Sequence, residues 1–462
     1  MIIKQFFHPI CEPVQGIFSS LQNVSGLFGL CDKQQYVLGF LPKWQYVALQ
    51  NHQSLKLKRQ GLDYESSIVH LPFDVCIKQA WQQSIAEPDH SRDCNEQFSG
   101  GLMGFIGYDY AAAQHINVKS THPMLSPAAL MGEYDIFLKQ EHNGWQLYGP
   151  NLPEFEPIYA HIKALLTQPS ATKPPNSLSV LKPFWPVWNK VQYGQAFDKI
   201  QQYLKQGDCY QVNLTQPFVA QVKGSLINTI EPLMALTKAS YAGYVRYENF
   251  ELLSCSPELF VAFKANGKII TKPIKGTRPR HTDSQQDELL KQQLIESIKD
   301  RAENLMIVDL LRNDLSVYAQ TGSVQVPALF KVESFAQVHH LVSEIHATLR
   351  ADASPLDVLF NALPGGSITG APKIRAMQII DELEVQPRGA YCGSMGYLNY
   401  NNTGQFNILI RSLQKHGETL TAWAGGGITV ASECDAEYQE CLDKIGAILA
   451  CVNALGKPST PD

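Results

Sequence analysis

The sequence predicts an α+β protein. Strand-like and helix-like runs are mixed without the regular strand–helix alternation that a wound parallel sheet requires. Of the 462 residues, 44% are hydrophobic and 18% charged, the balance of a chain that buries a substantial core. Short strand-like runs dominate the first third of the chain, whereas long amphipathic helical patterns come only later.

Residues 36–40 and 44–49 are apolar, β-prone runs separated by Leu41-Pro42-Lys43, and read as two strands. Residues 99–109 combine glycines with Phe105 and Tyr108, the composition of a closely packed, bent strand. The stretch Gln168-Pro169-Ser170-Ala171-Thr172-Lys173-Pro174-Pro175-Asn176-Ser177 resists both helix and strand. It divides the chain into a mainly stranded region (1–167), a Pro/Ser-rich linker (168–186), a region of mixed helices and strands (187–455) and a short tail (456–462). Beyond it, residues 191–205 show helical spacing of Phe197, Ile200 and Leu204 and stop at Gly207. Residues 287–311 read as one long helix with Leu290, Leu294, Ile298, Leu305 and Val308 on one side, and residues 438–455 as another. Residues 252–256, 268–271, 406–410 and 420–424 read as strands.

The formal net charge of -5 lacks the basic surplus of a duplex-binding protein. Ten scattered cysteines without a C-x-x-C pair fit free thiols in a reducing compartment and argue against structural zinc. No apolar run reaches the length of a membrane span, and the N-terminus lacks a signal-peptide pattern. A cytoplasmic protein that binds neither membrane nor nucleic acid is the expectation.

Several residues can carry chemistry. Asp300 and Glu303, and again Glu437 and Glu440, are three apart on predicted helices, so each pair shares a helical face. Two such faces brought together supply the oxygen ligands that magnesium requires, although acidic pairs taken singly are usually solvated surface. The glycine runs Gly425-Gly426-Gly427 and Pro364-Gly365-Gly366-Ser367-Ile368-Thr369-Gly370 allow close approach of backbone to an anion, or are ordinary turns; neither matches a phosphate-loop or dinucleotide fingerprint. Arg411, placed at a strand end, can grip a carboxylate. His340 can orient a substrate or be a structural histidine. Lys275, in Pro273-Ile274-Lys275-Gly276-Thr277, can act as a nucleophile where its pKa is depressed, and Glu258, in Ser256-Pro257-Glu258, as a general acid where burial keeps it protonated.

The order of these pieces resembles the chorismate-utilising enzymes, the family of anthranilate, isochorismate, salicylate and aminodeoxychorismate synthases. Ser256-Pro257-Glu258, the Lys275 run, Asp300-Arg301-Ala302-Glu303-Asn304, the Gly365 to Lys373 run, Arg411, the three glycines and residues 437–444 follow in the family's order over about 190–450. A looser match lies at 101–109 and 132–135. The resemblance implies one α+β body of two large antiparallel sheets with surrounding helices. It also implies a magnesium ion on Glu303 and Glu440, with Asp300 and Glu437 close by. Chorismate would lie against Gly276, Thr277, His340, Thr369, Tyr391, Arg411, Gly425, Gly426, Gly427 and Lys444. Lysine at 275, where anthranilate synthases usually carry alanine, resembles the branch that aminates chorismate at C4 on the way to 4-aminobenzoate and folate. That branch implies a Lys275 covalent intermediate and ammonia from a separate glutamine amidotransferase subunit in a heterodimer, since no cysteine here sits in a G-x-C-x-G setting. An anthranilate synthase component I and a catalytically silent chorismate-binding relative are the alternatives. Related enzymes also carry a tryptophan pocket; its counterparts here would be Ser240 and Tyr241, with an N-terminal element near Phe18-Ser19-Ser20-Leu21, and neither is a clean match.

Overall fold

A computed structural model describes residues 2–5, 13–32, 35–49, 53–86, 97–118, 126–142, 144–167, 177–335 and 338–455. Residues 168–176, the first part of the segment read as a linker, lie outside them, as does the tail. Two antiparallel sheets of twelve strands each dominate the described chain. The first runs Ile2–Gln5, Gly144–Pro150, Phe137–Glu141, Gln35–Gly39, Phe28–Asp32, Tyr241–Tyr247, Phe250–Ser256, Ser412–His416, Thr419–Ile428, Gln211–Lys223, Ser179–Pro186, with Gly370–Ala371 also on Gln211–Lys223. The second runs Ile274–Pro279, Val338–Thr348, Lys268–Lys272, Leu259–Phe263, Gly404–Asn407, Ser394–Asn399, Gly101–Ile106, Ala129–Tyr134, Trp44–Ala48, Ser54–Gln60, Asp63–Val69, with Gln325–Ser334 beside Val338–Thr348. The α+β class and the two large sheets agree with the sequence reading.

The early and late parts of the chain interleave. Phe28–Asp32 pairs with Tyr241–Tyr247, and Gly101–Ile106 with Ser394–Asn399. Residues 179–186, read as part of the linker, form a strand instead, paired with Gln211–Lys223. The facing sheets meet through an apolar layer that includes Phe28, Val245 and Leu252 from the first and Phe105, Leu130 and Met395 from the second. Glycine lets them approach: a Cβ on Gly243 would stand 2.4 Å from the Met395 sulfur.

Two helices differ from the sequence reading in ways that matter for the site. The pattern over 287–311 is not one helix. It is Ser284–Glu296 followed by Ile298–Ser316, broken at Ser297, whose extended backbone ends the first and whose side chain caps the second by accepting from the Asp300 amide. The break rotates the apolar stripe, so Leu294 and Val308 are buried while Ile298 and Leu305 are exposed. It also sets Asp300 in the first turn and Glu303 in the next. The last helix starts earlier than 438, at Cys434, which places Glu437 in its first turn. Lys190–Gln206 matches the predicted 191–205 closely; it opens with a capping box between Asn189 and Gln192 and ends at Gly207, whose φ of 81° is left-handed.

Candidate active site

The chain twice crosses from one sheet to the other at the same place. Phe250–Ser256 of the first sheet leads through Pro257 and Glu258 into Leu259–Phe263 of the second. Gly404–Asn407 of the second leads through 408–411 into Ser412–His416 of the first. The crossings are tied together: the Cys255 amide donates to the Arg411 carbonyl at 3.1 Å, and the Ile408 amide to the Glu258 carbonyl at 3.1 Å. Arg411 therefore sits not at the end of a 406–410 strand but in the crossing, with a left-handed φ of 52°.

Beside these crossings lies a cavity of about 490 Å³, large enough for a small organic acid. Its lining includes Glu258, Lys275, Gly276, Thr277, Asp300, Glu303, His340, Tyr391, Arg411, Gly425, Gly426, Gly427, Glu437, Glu440 and Lys444. Residues spread over nearly two hundred positions thus share one space. Thr369 does not line it. Its hydroxyl is buried against the Gly365 carbonyl at 2.9 Å, and the lining there comes from Ser367 and Ile368. Ser240 and Tyr241 lie elsewhere; the recess beside Tyr241 measures about 20 Å³, room for a water rather than an amino acid. Phe18 belongs to the core, its ring packed where a Cβ on Gly29 would otherwise stand.

The glycines at 425–427 are not a turn. They continue the strand Thr419–Ile428, paired with Asn213, Leu214 and Thr215. A Cβ on Gly425 would lie 2.1 Å from the Leu214 carbonyl oxygen, so no larger residue fits there. A Cβ on Gly426 would point at the acidic side chains instead, 3.1 Å from Glu437 Oε2 and 3.8 Å from Glu440 Oε1.

At the inner wall, Lys275 donates from Nζ to the Ser367 carbonyl at 3.1 Å. Burial pushes its pKa below the usual lysine range, against the opposing pull of Glu303 and Glu258. Burial likewise pushes Glu258 up, opposed chiefly by Lys275. The two groups are thereby poised as a base that loses its proton more readily and an acid that keeps its own longer. His340 is driven down to about 4 by burial and by Arg411, so it is a neutral imidazole at physiological pH; its Nδ1 is paired with the Thr277 hydroxyl at 2.8 Å. Burial lowers Arg411 too, and the residue lacks a carboxylate partner among the described residues. Tyr391 stacks on Trp423 with ring centroids 5.9 Å apart.

The acidic side of the cavity joins two helices. Asp300 pairs with Arg278 at 3.0 Å, Glu440 with Lys444 at 2.7 Å, and Glu437 accepts from the Ser432 hydroxyl at 2.7 Å. Lys444 also donates to the Gly425 carbonyl at 2.9 Å. Burial raises Glu303, with Lys275 pulling the other way. A divalent cation suits this set. The donors are hard oxygens, Glu303 Oε1 is buried without a hydrogen-bond partner, and the bare Gly426 leaves open the space that a Cβ would fill. Among the described residues no three carboxylates, imidazoles or thiols stand close enough to form a ready-made ligand cluster. Arg278, Lys299, Ser367, Ser432 and Trp423 complete the surroundings. Residue type alone did not single them out; Ser367 was inside the glycine run, and Lys299 directly precedes Asp300.

Comparison with known proteins bears on what this cavity is. The family model described as chorismate binding enzyme matches residues 44–450. The chain belongs to that family. Aminodeoxychorismate synthase component 1 of Klebsiella aerogenes is 44% identical over 354 residues, covering 76% of this chain and 77% of the relative. The protein of that name from Escherichia coli K12 is 41% identical over 374 residues, covering 81% of each. Among solved structures, anthranilate synthase component I from Streptococcus pneumoniae superposes with a TM-score of 0.75 at 25% identity, over 90% of this chain and 92% of that one. MenF, the menaquinone-specific isochorismate synthase of Escherichia coli, shares the fold at 18% identity, with a TM-score of 0.73 over 98% of this chain and 94% of that one. No described helix is long and apolar enough to cross a membrane. Cys76, Cys209, Cys255, Cys392, Cys434, Cys441 and Cys451 are free thiols.

Proposed function

We propose that this chain is the chorismate-aminating component of an aminodeoxychorismate synthase, converting chorismate and ammonia to 4-amino-4-deoxychorismate in the cytoplasm, on the route to 4-aminobenzoate and folate. The observation that carries the reading is the convergence of Lys275 and Glu258 on one cavity with opposite protonation shifts. The component 1 relatives, which this chain matches over about three quarters of its length, support it.

Neutral Lys275 attacks C2 of the ring while Glu258 gives its proton to the C4 hydroxyl. The C2–N bond forms, the ring double bonds shift, and the C4–O bond breaks to release water. Ammonia then adds at C4, the double bonds shift back, and the lysine leaves C2 with its electron pair; the proton lost from nitrogen returns to Glu258. The pyruvyl group is never cleaved. Splitting one difficult substitution into two displacements is the gain from a nucleophile. Arg411, without a carboxylate partner among the described residues, is suited to grip the pyruvyl carboxylate in bidentate fashion beside the stacked Tyr391. Neutral His340 fixes the Thr277 hydroxyl at the ring, and Lys444 adds positive charge. Glu303 and Glu440, with Asp300 and Glu437 near them, would hold magnesium, which supplies charge neutralisation for the ring carboxylate. Ammonia would come from a glutamine amidotransferase subunit in a heterodimer, a reading supported by the relatives' designation as component 1.

The test is Lys275→Ala. Mass spectrometry of the wild-type enzyme with chorismate is expected to show a covalent adduct that the variant lacks, and the variant's yield of 4-amino product is expected to fall by orders of magnitude. Normal product formation by the variant would remove Lys275 as nucleophile. The anthranilate synthase alternative draws on the fold match to that enzyme; release of pyruvate with an aromatic 2-amino acid would decide for it.

A further inference from the structure

The acidic side of the cavity carries a cation of its own that the proposed chemistry leaves unused. Lys299 lies one turn before Glu303 on Ile298–Ser316, and its Nζ stands 4.0 Å from Glu303 Oε1 and 3.4 Å from Glu437 Oε1. It therefore spans the two helices that supply the four carboxylates. Both contacts are longer than the roughly 2.7–2.9 Å of a strong charge-assisted hydrogen bond. Its side chain is 51% exposed, whereas that of Glu437 is 4% exposed. Lys444 differs: it is held at 2.7 Å by Glu440 and at 2.9 Å by the Gly425 carbonyl, and so is fixed from two sides. Glu303 Oε1, the carboxylate oxygen that Lys299 faces on that helix, is buried without a hydrogen bond.

We propose that Lys299 is an internal stand-in for the metal: it holds Glu303 and Glu437 at one locus while no divalent cation is bound, and swings into solvent when one arrives. The proposal rests on the magnesium reading above. Two carboxylates facing each other across a helix pair repel unless a cation lies between them. A long, flexible, half-exposed lysine fills that need at little cost, because its ammonium keeps contact with water and its contacts to the two mostly buried carboxylates are long. A doubly charged ion that reaches the same oxygens displaces it. Measured magnesium affinity is then the difference between metal–carboxylate and lysine–carboxylate attraction, and removal of the lysine tightens metal binding.

Calorimetric titration of the full chain with magnesium alone, no substrate present, tests this on the wild type, Lys299→Met and Lys299→Arg. Lys299→Met is expected to bind magnesium about 5-fold more tightly than the wild type, the equivalent of one long, half-exposed ion pair removed from the competition. Lys299→Arg, which keeps the charge, is expected to stay close to the wild type. Without metal, Lys299→Met is expected to melt below the wild type, and magnesium to raise its melting temperature by more. Equal or weaker magnesium binding by Lys299→Met, with the wild type binding, overturns the role of Lys299 and leaves the magnesium reading standing. Absence of binding in both proteins overturns the two together. Should Lys299→Met fail to fold, Lys299→Gln carries the same comparison.

Discussion

Arg388→Met is expected to damage the protein far more than its distance from the reacting groups suggests. Arg388 is 1% exposed. Its Nε and one terminal nitrogen bind Glu384 at 2.8 and 2.7 Å, and it also donates to the carbonyls of Asn213 at 2.8 Å and Ile368 at 3.0 Å. Those two residues line the cavity, so one guanidinium fixes two segments of its wall. The Tyr108 ring lies under it at 4.5 Å. Breaking a buried ion pair from one side leaves the other charge uncompensated and costs about 3–5 kcal/mol. Loss of the donor to the Asn213 carbonyl adds about 1 kcal/mol, while the Ile368 carbonyl keeps the Asn213 side-chain amide at 2.9 Å. Against this, Glu384 retains the Thr215 amide and hydroxyl at 3.0 and 2.8 Å, which holds the total toward the lower end. The expected loss is about 4 kcal/mol, read as a lowered urea midpoint by tryptophan fluorescence, with a raised KM for chorismate. In the double variant Arg388→Met/Glu384→Met no orphan charge remains, so its loss should fall well short of the sum of the single losses. A single-variant loss under about 1 kcal/mol, or strict additivity, would refute the reasoning.

Three further outcomes are expected. In the proposed mechanism the productive state needs protonated Glu258 and neutral Lys275: raising pH through the lowered Lys275 pKa frees the amine, and raising it through the elevated Glu258 pKa removes the acid. The kcat/KM profile should therefore be bell-shaped, and Glu258→Gln, besides being slow, should lose one limb and rise with pH alone; a retained bell would place the acid elsewhere. Gly426→Ala puts a methyl 3.1 Å from Glu437 Oε2 and 3.5 Å from Lys444 Nζ. Its melting temperature should stay near the wild type while the magnesium requirement expected from the proposed metal site rises several-fold, and an unchanged requirement would move the metal away from this strand. Finally, the isolated chain should turn over chorismate with ammonium and not with glutamine; efficient use of glutamine without a second subunit would contradict the heterodimer.

What the sequence disclosed follows from what sequence records. Helix Lys190–Gln206 was legible almost to the residue because its stop signal is a local φ requirement at Gly207. The long-helix reading of 287–311 failed because Ser297 acts as a cap, a signal that the continuous leucine pattern outweighed. Local composition allows the glycines at 425–427 to be an ordinary turn or an anion-approaching segment; only pairing with Asn213, Leu214 and Thr215 makes them a strand, and only the crowding at Leu214 explains why glycine must stand there. Arg411 shows the same limit. Its type suggested a carboxylate grip, but its position depends on a crossing between sheets that joins residues more than 150 positions apart in sequence. Thr369 and Ser367 mark the boundary most clearly. Both polar residues sit in one glycine-rich run, yet the short helical turn Gly366–Ile368 sends the Thr369 hydroxyl back to Gly365 and leaves the Ser367 carbonyl facing Lys275. The atom that holds the proposed nucleophile is thus a backbone oxygen, which every residue has, and no pattern of side chains could have named it.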